Sequence, residues 1–363
     1  MITKDLIIIG GGPSGLCAAK MALEAGISVL LIDRSPNLGG QLVKQTHKFF
    51  GSKSQYAKTR GFDIAKKLIN DLNEQKNLEI LSNATVVGLY PDKVVTVLYQ
   101  EEYIRYQAKT VIVATGASEK FLAFENNDLP GIYGAGAVQT LMNNYGVLPG
   151  QEIVMVGSGN IGLIVSYQLL QAGVKVKAII EAAPTIGGYK VHASKMRRLS
   201  VPILTSTTIK KAIGSQFIEA IETVSLDQKW NEIPGTSNII EVDALCISVG
   251  LSPMHQILSM VGAKTKYIAE LGGFVPIVDD HHQTSVDSIF VCGDAVGIEE
   301  ASSAMMEGYL TGLNVAKHLG KNHPNEELLI KHYESQLDML RDGPFGIKTK
   351  IGLAKMKEET THA

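Results

Sequence analysis

Leu6-Ile-Ile-Ile9 is apolar at every position, and glycines follow at 10, 11 and 12. A stretch with helical apolar spacing runs from Leu16 to Ala25, then Gly26, then Ile27-Ser-Val-Leu-Leu-Ile-Asp33, a second apolar run ending in an acid. The same order returns in Ile153-Val-Met-Val156, Gly157 to Gly162, Leu163 to Ala172, Gly173, and Val174 to Glu181. Even a following Gly-Gly recurs, as Gly39-Gly40 and Gly187-Gly188. Runs without polar alternation predict strands buried on both faces, hence parallel sheets with helices on either side. The period is too long for a solenoid. The pattern predicts two nucleotide-binding domains of one design.

Between the copies, Thr85–Tyr90, Lys93–Tyr99 and Tyr103–Tyr106 alternate and are β-branched, which predicts antiparallel strands. They lead into Thr110-Val-Ile-Val-Ala-Thr-Gly-Ala117, and a comparable run, Ala244-Leu-Cys-Ile-Ser-Val-Gly250, closes the second copy. Gln283 to Asp294 is a late strand with a Gly-Asp end, followed by a helical pattern from Ser302 to Leu319. Beyond Lys321 a polar helical stretch reaches about Arg341, with Leu328, Leu329, Tyr333, Leu337 and Leu340 near one face. It either docks a partner or covers its own core. Gly343-Pro-Phe-Gly346 then breaks the chain, and the Lys- and Glu-rich end predicts fraying over the final dozen residues.

The 363 residues suffice for two domains. With 34 Lys+Arg against 36 Asp+Glu, a net charge of -2 offers no basic field to nucleic acid or anionic lipid. A hydrophobic share of 45% against 19% charged excludes a disordered chain. The 36 glycines exceed the usual ~7% share and imply tight turns or close backbone approach to a ligand. Met1 enters an apolar strand at once, without a charged leader, and no apolar run approaches the ~20 residues of a membrane span. The expectation is a soluble cytoplasmic protein.

Each G-x-G-x-x-G follows a strand, opens a helix and has its acid roughly 20 residues on, the context that gives the motif weight. Gly10, Gly12 and Gly15, like Gly157, Gly159 and Gly162, would make the turn, admit a pyrophosphate and let helix pack on strand. The helix N-terminus adds free N–H groups and partial positive charge. Asp33 and Glu181 would accept from ribose hydroxyls; the bland alternative is a pair of ordinary βα turns. A carboxylate at Glu181 would repel a 2′-phosphate, and no base follows until Lys190. NAD(H) is therefore expected first, an adenine nucleotide second, and NADP is disfavoured.

These ordered landmarks make the chain similar to the two-dinucleotide-binding-domain flavoproteins, the pyridine nucleotide-disulphide oxidoreductase class. The resemblance implies an α/β fold of two Rossmann-like, three-layer dinucleotide-binding domains, the second inserted in the first. The FAD domain would comprise 1–118 and 248–320, the NAD domain 119–247, and a C-terminal helical tail 321–363. It places FAD on Gly10, Gly12, Pro13, Ser14, Gly15, Asp33, Arg34, Gly40, Gln41, Val86, Ala114, Thr115, Gly116, Gly293 and Asp294. Asp294 would hydrogen-bond the ribityl chain, and the helix near Ser302 would direct its positive end at the flavin. The second nucleotide would sit on Gly157, Gly159, Asn160, Ile161, Gly162, Glu181 and Gly250.

The disulphide reductases of that class carry a reactive cysteine pair. Here Cys17, Cys246 and Cys292 lie far apart with no CxxC, and each reads as a small buried residue. Whether Cys17 and Cys292 meet in space is left open. No Cys-ligated metal or iron–sulfur centre is expected within the chain. His281-His282 would point to opposite faces of an extended segment, so no metal is expected there either. Lys44 and His47 are the candidate catalytic groups: a cation beside reduced flavin and a proton shuttle, or else part of a solvated loop with Lys48.

Val111 to Phe124, Asp128 to Met142 and Asn144-Tyr-Gly-Val-Leu-Pro-Gly150 resemble the flavin subunits of heteromeric amine and imino-acid dehydrogenases: sarcosine oxidase alpha, opine oxidase A, hydrogen cyanide synthase B and dye-linked proline dehydrogenase. That implies an oligomer with a redox partner, a second flavoprotein or an iron–sulfur protein. The expected activity is hydride transfer between NAD(H) and FAD, with electrons exchanged with the partner or a small acceptor. One alternative is an amine or imino-acid dehydrogenase subunit with a structural adenine nucleotide. Another is a non-catalytic FAD-binding redox sensor or scaffold.

Overall fold

A computed structural model describes residues 1–73, 75–343 and 346–360. Its helices are α1 (Pro13–Glu24), α2 (Gly61–Asn70), α3 (Ala135–Tyr145), α4 (Asn160–Gln171), α5 (Lys190–Arg198), α6 (Gln256–Met260), α7 (Ala301–His318), α8 (Glu326–Leu340) and α9 (Gly346–Thr360). The chain forms two compact units. One comprises Met1–Val43, Lys48–Ser118 and Leu251–Ala363, the other Lys44–His47 and Glu119–Gly250.

In the first unit Ile2–Ile9 lies between Val29–Ile32 and Glu102–Val113, parallel to both. Leu78–Leu81 and Ile289–Val291 add parallel partners, and Val94–Tyr99 and Ala84–Leu89 extend the sheet antiparallel. Successive residues of the apolar runs enter opposite cores. Leu6, Ile8, Leu31 and Ile112 pack with α1, α2 and α7, while Ile7, Ile9, Leu30 and Val113 pack with Leu271, Val275 and Met356. Each such buried side chain contributes roughly 1.5–3 kcal/mol relative to exposure, which is why no polar residue interrupts the runs. Helix α7 lies tightly along α1, since a Cβ at Gly308 would come within 2.2 Å of the Ser14 carbonyl oxygen and one at Gly312 within 2.5 Å of that of Ala18.

Three expectations are corrected here. Tyr103–Tyr106 and Thr110–Val113 belong to one strand of 12 residues, because its first part pairs with Val94–Tyr99 while its second is held by Ile2–Ile9 and Ile289–Val291. The end of the chain is helical to Thr360, with Met356 buried and Leu353 packed on the second core; residues 361–363, and the middle of Gly343-Pro-Phe-Gly346, lie outside the described residues. His282 is not extended: it turns at φ 65°, with its Nδ1 2.5 Å from Thr311 Oγ1, and burial lowers its pKa to about 4. The open question about α8 resolves toward its own core, where Leu337 is buried and Tyr333 stacks on Tyr309 with centroids 4.5 Å apart. No helix among the described residues is long and apolar enough to cross a membrane.

The second unit has its own parallel sheet, in the order Ile203–Leu204, Lys175–Ile180, Glu152–Val156, Ala244–Ile247, Ile132–Gly134. Ile153 and Met155 face one core with α4 and α5, and Val154 and Val156 the other. Thr207–Ile213, Ala220–Ser225 and Asn238–Glu241 form a separate antiparallel sheet. Lys44–His47 is tied into this unit: Asn143 donates to the Lys44 carbonyl at 2.7 Å, and Gln168 Nε2 donates to Thr46 Oγ1 at 2.8 Å.

Candidate functional site: two glycine cradles

Within each unit the chemistry-bearing residues gather at the carboxyl ends of the parallel strands, where open α/β sheets bind ligands. Gly10–Gly15 follows Ile2–Ile9, Asp33 follows Val29–Ile32, Ala114–Gly116 follows Glu102–Val113, and Gly293-Asp294 lies just past Ile289–Val291. Gly10 adopts φ 110°, and a Cβ there would sit 2.3 Å from the Ala114 carbonyl oxygen; one on Gly15 would sit 1.9 Å from that of Gly10. These two glycines are demanded by the turn itself. Gly12 is different. Its φ is -77°, and a Cβ would find Gly40 Cα at 3.9 Å and nothing closer. Packing gives no reason for glycine at 12, whereas a group seated against the backbone does. Gly12 is also the N-cap of α1, without a side-chain hydrogen bond, and the first turn of a helix leaves its N–H groups unpaired within the helix.

Asp33 closes this cradle. Its Oδ2 accepts from Gly11 N at 2.6 Å and its Oδ1 from Ser35 N at 2.7 Å, so the acid is oriented by backbone and keeps acceptor capacity. Gly39 donates to the Gly11 carbonyl at 2.8 Å, which brings Gly40 beside Gly12. Arg34 and Gln41 are exposed, Pro13 and Thr115 half-buried, and Ser14 buried. Thr115 Oγ1 donates to the Met254 carbonyl at 2.7 Å. Val86 stands on Ala84–Leu89 at a register shift.

Asp294 is partly buried, and burial pushes its carboxyl up to about 7, opposed by a long bond from Glu299 N–H at 3.4 Å and reinforced by the Glu299 charge. Such a carboxyl would be relieved by a hydroxyl donor. The donor set therefore fits a flavin dinucleotide: backbone N–H groups for phosphate, Asp33 for a ribose and Asp294 for a polyol hydroxyl.

The second cradle repeats the backbone contacts of the first and adds a serine hydroxyl to them. Gly157 turns at φ 101° with its Cβ position 2.1 Å from the Ser248 carbonyl oxygen, and that of Gly162 is 2.2 Å from the Gly157 carbonyl oxygen. The middle glycine, Gly159, is again open, with φ -65° and nothing within 4 Å of its Cβ position. Glu181 Oε2 accepts from Ser158 N at 2.9 Å and from Ser158 Oγ at 2.5 Å, and Oε1 accepts from Ala183 N at 2.9 Å. Gly188 donates to the Ser158 carbonyl as Gly39 does to that of Gly11. Asn160 Oδ1 accepts from Tyr189 N at 2.8 Å, while Ile161 and Gly250 are exposed. Sequence reading singled out the two acids but not their partners Gly11 and Ser158. The signal lay in the middle position of each G-x-G.

Lys44 and His47 sit in the second unit. The Lys44 ammonium donates to the Gly136 carbonyl at 2.9 Å and approaches Thr140 Oγ1 at 3.4 Å, and burial lowers its pKa. His47 is lowered to about 4 by burial, with His192 and Lys195 adding to the effect, so its imidazole is neutral at pH 7. Among the described residues no group of three or more His, Cys, Asp or Glu could hold a metal ion. Cys17, Cys246 and Cys292 are free and buried, and burial pushes Cys17 up to about 12 and raises the other two further from the thiolate range. A thiol-specific disulphide reagent is accordingly expected to titrate none of them in the native protein and all three after denaturation. Rapid native reaction of any one would contradict this.

The family model of the pyridine nucleotide-disulphide oxidoreductases matches residues 4–308. The alpha chain of sarcosine oxidase from Rhizobium meliloti (strain 1021) is 28% identical over 364 residues, covering 95% of this chain and 34% of that one. Opine oxidase A of the same organism is 25% identical over 346 residues, covering 90% of this chain and 73% of its own. The crystal structure of L-proline dehydrogenase from P. horikoshii superposes with a TM-score of 0.70 at 25% identity, covering 93% of this chain and 59% of that one. The chain thus spans about a third of the sarcosine oxidase relative. With the match extending over both glycine cradles and the Gly293-Asp294 turn, the chain belongs to the pyridine nucleotide-disulphide oxidoreductase family of flavin-dependent enzymes.

Proposed function

We propose that the protein passes hydride between NAD(H), held on the second cradle, and FAD, held on the first, and exchanges electrons with a partner protein or small acceptor. The observation that carries this reading is the pair of open middle glycines, Gly12 and Gly159, each on an uncapped helix N-terminus beside an oriented acid. Bound flavin supplies the two-electron chemistry, and the chain's share is binding, orientation and charge. Gly10–Gly15, Asp33, Gly40, Gln41, Ala114–Gly116 and Asp294 would hold FAD. Gly157–Gly162 and Glu181 would hold the nicotinamide nucleotide. His47 would contribute a neutral imidazole rather than a cation.

Glu181, fixed by three hydrogen bonds, would place its charge where a 2′-phosphate must go. Anaerobic NADH is expected to bleach the flavin absorbance about tenfold or more faster than NADPH, since like charges brought together cost several kcal/mol. Equal rates would remove Glu181 from that role, and no bleaching by either would overturn the proposal.

A second reading is favoured by the relatives, which are named as components of sarcosine and opine oxidases. In it the chain is the flavin subunit of an amine or imino-acid dehydrogenase with an adenine nucleotide on the second cradle. Identifying the nucleotides released on denaturation separates the two readings: NAD supports the first, ADP or ATP the second.

A further inference from the structure

The tail beyond the matched segment places the guanidinium of Arg341 against two acids of the first unit. Arg341 follows α8, and its Nε lies 3.1 Å from both carboxylate oxygens of Glu299. Its Nη2 also donates to Glu299, and reaches Glu307 Oε1 at 2.6 Å. The three side chains are only 12%, 10% and 7% exposed, for Arg341, Glu299 and Glu307. Both acids then lead to the same turn: Glu307 Oε2 accepts from Gly293 N at 3.0 Å, and Glu299 N–H donates to Asp294 Oδ1 at 3.4 Å.

We propose that Arg341 is a positioning residue of the flavin cradle: by clamping Glu299 and Glu307 it fixes the Gly293-Asp294 turn from behind. The proposal rests on the reading of the first unit as the FAD site.

The turn has little slack on its other side, since a Cβ at Gly293 would meet Ser14 Oγ at 2.6 Å. What holds it from behind therefore decides where Asp294 sits. Two carboxylates in so buried a place repel each other, and burial together with Glu299 already raises the Glu307 pKa. Only a group presenting several donors in a rigid fork can satisfy both acids at once, which a guanidinium does and an ammonium does less well. A buried ion cluster of this kind adds little net stability, because desolvation offsets its attraction, yet it fixes geometry. Stability of the tail has other sources, in buried Leu337 and the Tyr309–Tyr333 stack.

The test compares full-length parent, Arg341→Lys, and the double variant Arg341→Gln with Glu307→Gln, which leaves one carboxylate, that of Glu299, instead of two opposite the lost arginine. Each is stripped of flavin, its unfolding temperature is measured, and FAD is titrated back by fluorescence. The double variant should bind FAD about tenfold more weakly, the worth of roughly one hydrogen bond to a charged group, with Arg341→Lys intermediate. Dissociation constants within twofold of the parent in both variants, whatever happens to the unfolding temperature, would make Arg341 merely structural and overturn the inference. A parent that takes up no FAD would overturn the reading of the cradle instead.

Discussion

Gly12→Ala should give a folded protein that binds FAD about a hundredfold more weakly, whereas Gly10→Ala and Gly15→Ala should fail to fold. At position 12 the φ of -77° suits alanine and the added methyl meets nothing closer than 3.9 Å, so the apo protein is expected to keep its stability to within about 1 kcal/mol, reduced unfolded-state freedom offsetting alanine's poorer fit at an N-cap. The methyl does occupy the space through which an anion reaches the first-turn N–H groups of α1. Losing one or two hydrogen bonds to a charged ligand, at about 1.5–3 kcal/mol each, accounts for the expected factor. At position 10 the φ of 110° adds strain of about 1–3 kcal/mol, and a Cβ 2.3 Å from the Ala114 oxygen adds overpacking of similar size. Position 15, at 1.9 Å from the Gly10 oxygen, is worse. At position 10 the two together come to about 2–6 kcal/mol, enough to unfold a domain near the low end of the ordinary range of about 5–15 kcal/mol. Circular dichroism melts and flavin titration of the three variants decide the matter. Full FAD affinity in Gly12→Ala would show that no phosphate approaches there. Gly159→Ala should behave alike at the second cradle, losing the nicotinamide nucleotide while the flavin stays bound.

The same contrast explains what was legible in the sequence. Leu6–Ile9 and Ile153–Val156 could be read because burial on both faces writes itself as an unbroken apolar run, and the glycines at 10, 15, 157 and 162 because no other residue fits their turns. Strand Glu102–Val113 was harder to see whole. Its exposed Lys109 interrupts the apolar pattern at the point where its antiparallel pairing with Val94–Tyr99 has ended. Helix α9 was invisible for another reason: its Lys- and Glu-rich surface carries only a thin apolar stripe. What holds it is close approach, with Gly352 so near that a Cβ would meet Leu271 at 2.6 Å. Lys44 and His47 are read beside the flavin from their nearness to Gly40 in the chain; the structure groups them with the unit that begins again at Glu119, where the Lys44 ammonium donates to the Gly136 carbonyl. The Arg341 clamp had no short-range signature, since it joins residues 34 and 42 positions apart. Contacts made by tertiary packing leave no period and no motif.

Asp294→Asn should stabilise the apo protein above pH 7 while weakening its hold on FAD about tenfold, the loss of one charge-assisted acceptor. Burial raises the Asp294 carboxyl from 3.8 to about 7 in the folded protein. Between those values the native state binds more protons than the unfolded chain, so stability falls as pH rises through that window and the penalty is complete above it. Asparagine carries no charge and abolishes the term. With the residue partly exposed, the gain at pH 8 should be on the order of 1–3 kcal/mol. Glu307, pushed up by burial and by Glu299 against the opposing pull of Arg341, gives the same sign, so a weaker decline should persist in the variant. A hydroxyl donor from bound FAD would favour the ionised form of Asp294, so in the parent the flavin should bind more tightly as pH rises from about 6 to 8, and in Asp294→Asn that dependence should flatten. Melting curves at pH 5 and pH 8, with flavin titrations at both, carry the test. A variant less stable than the parent at pH 8, or one whose flavin affinity keeps the parent's pH slope, would mean that Asp294 is a structural acid satisfied by the chain itself. A carboxyl that costs the empty protein stability and is relieved by its ligand is what a binding site should contain.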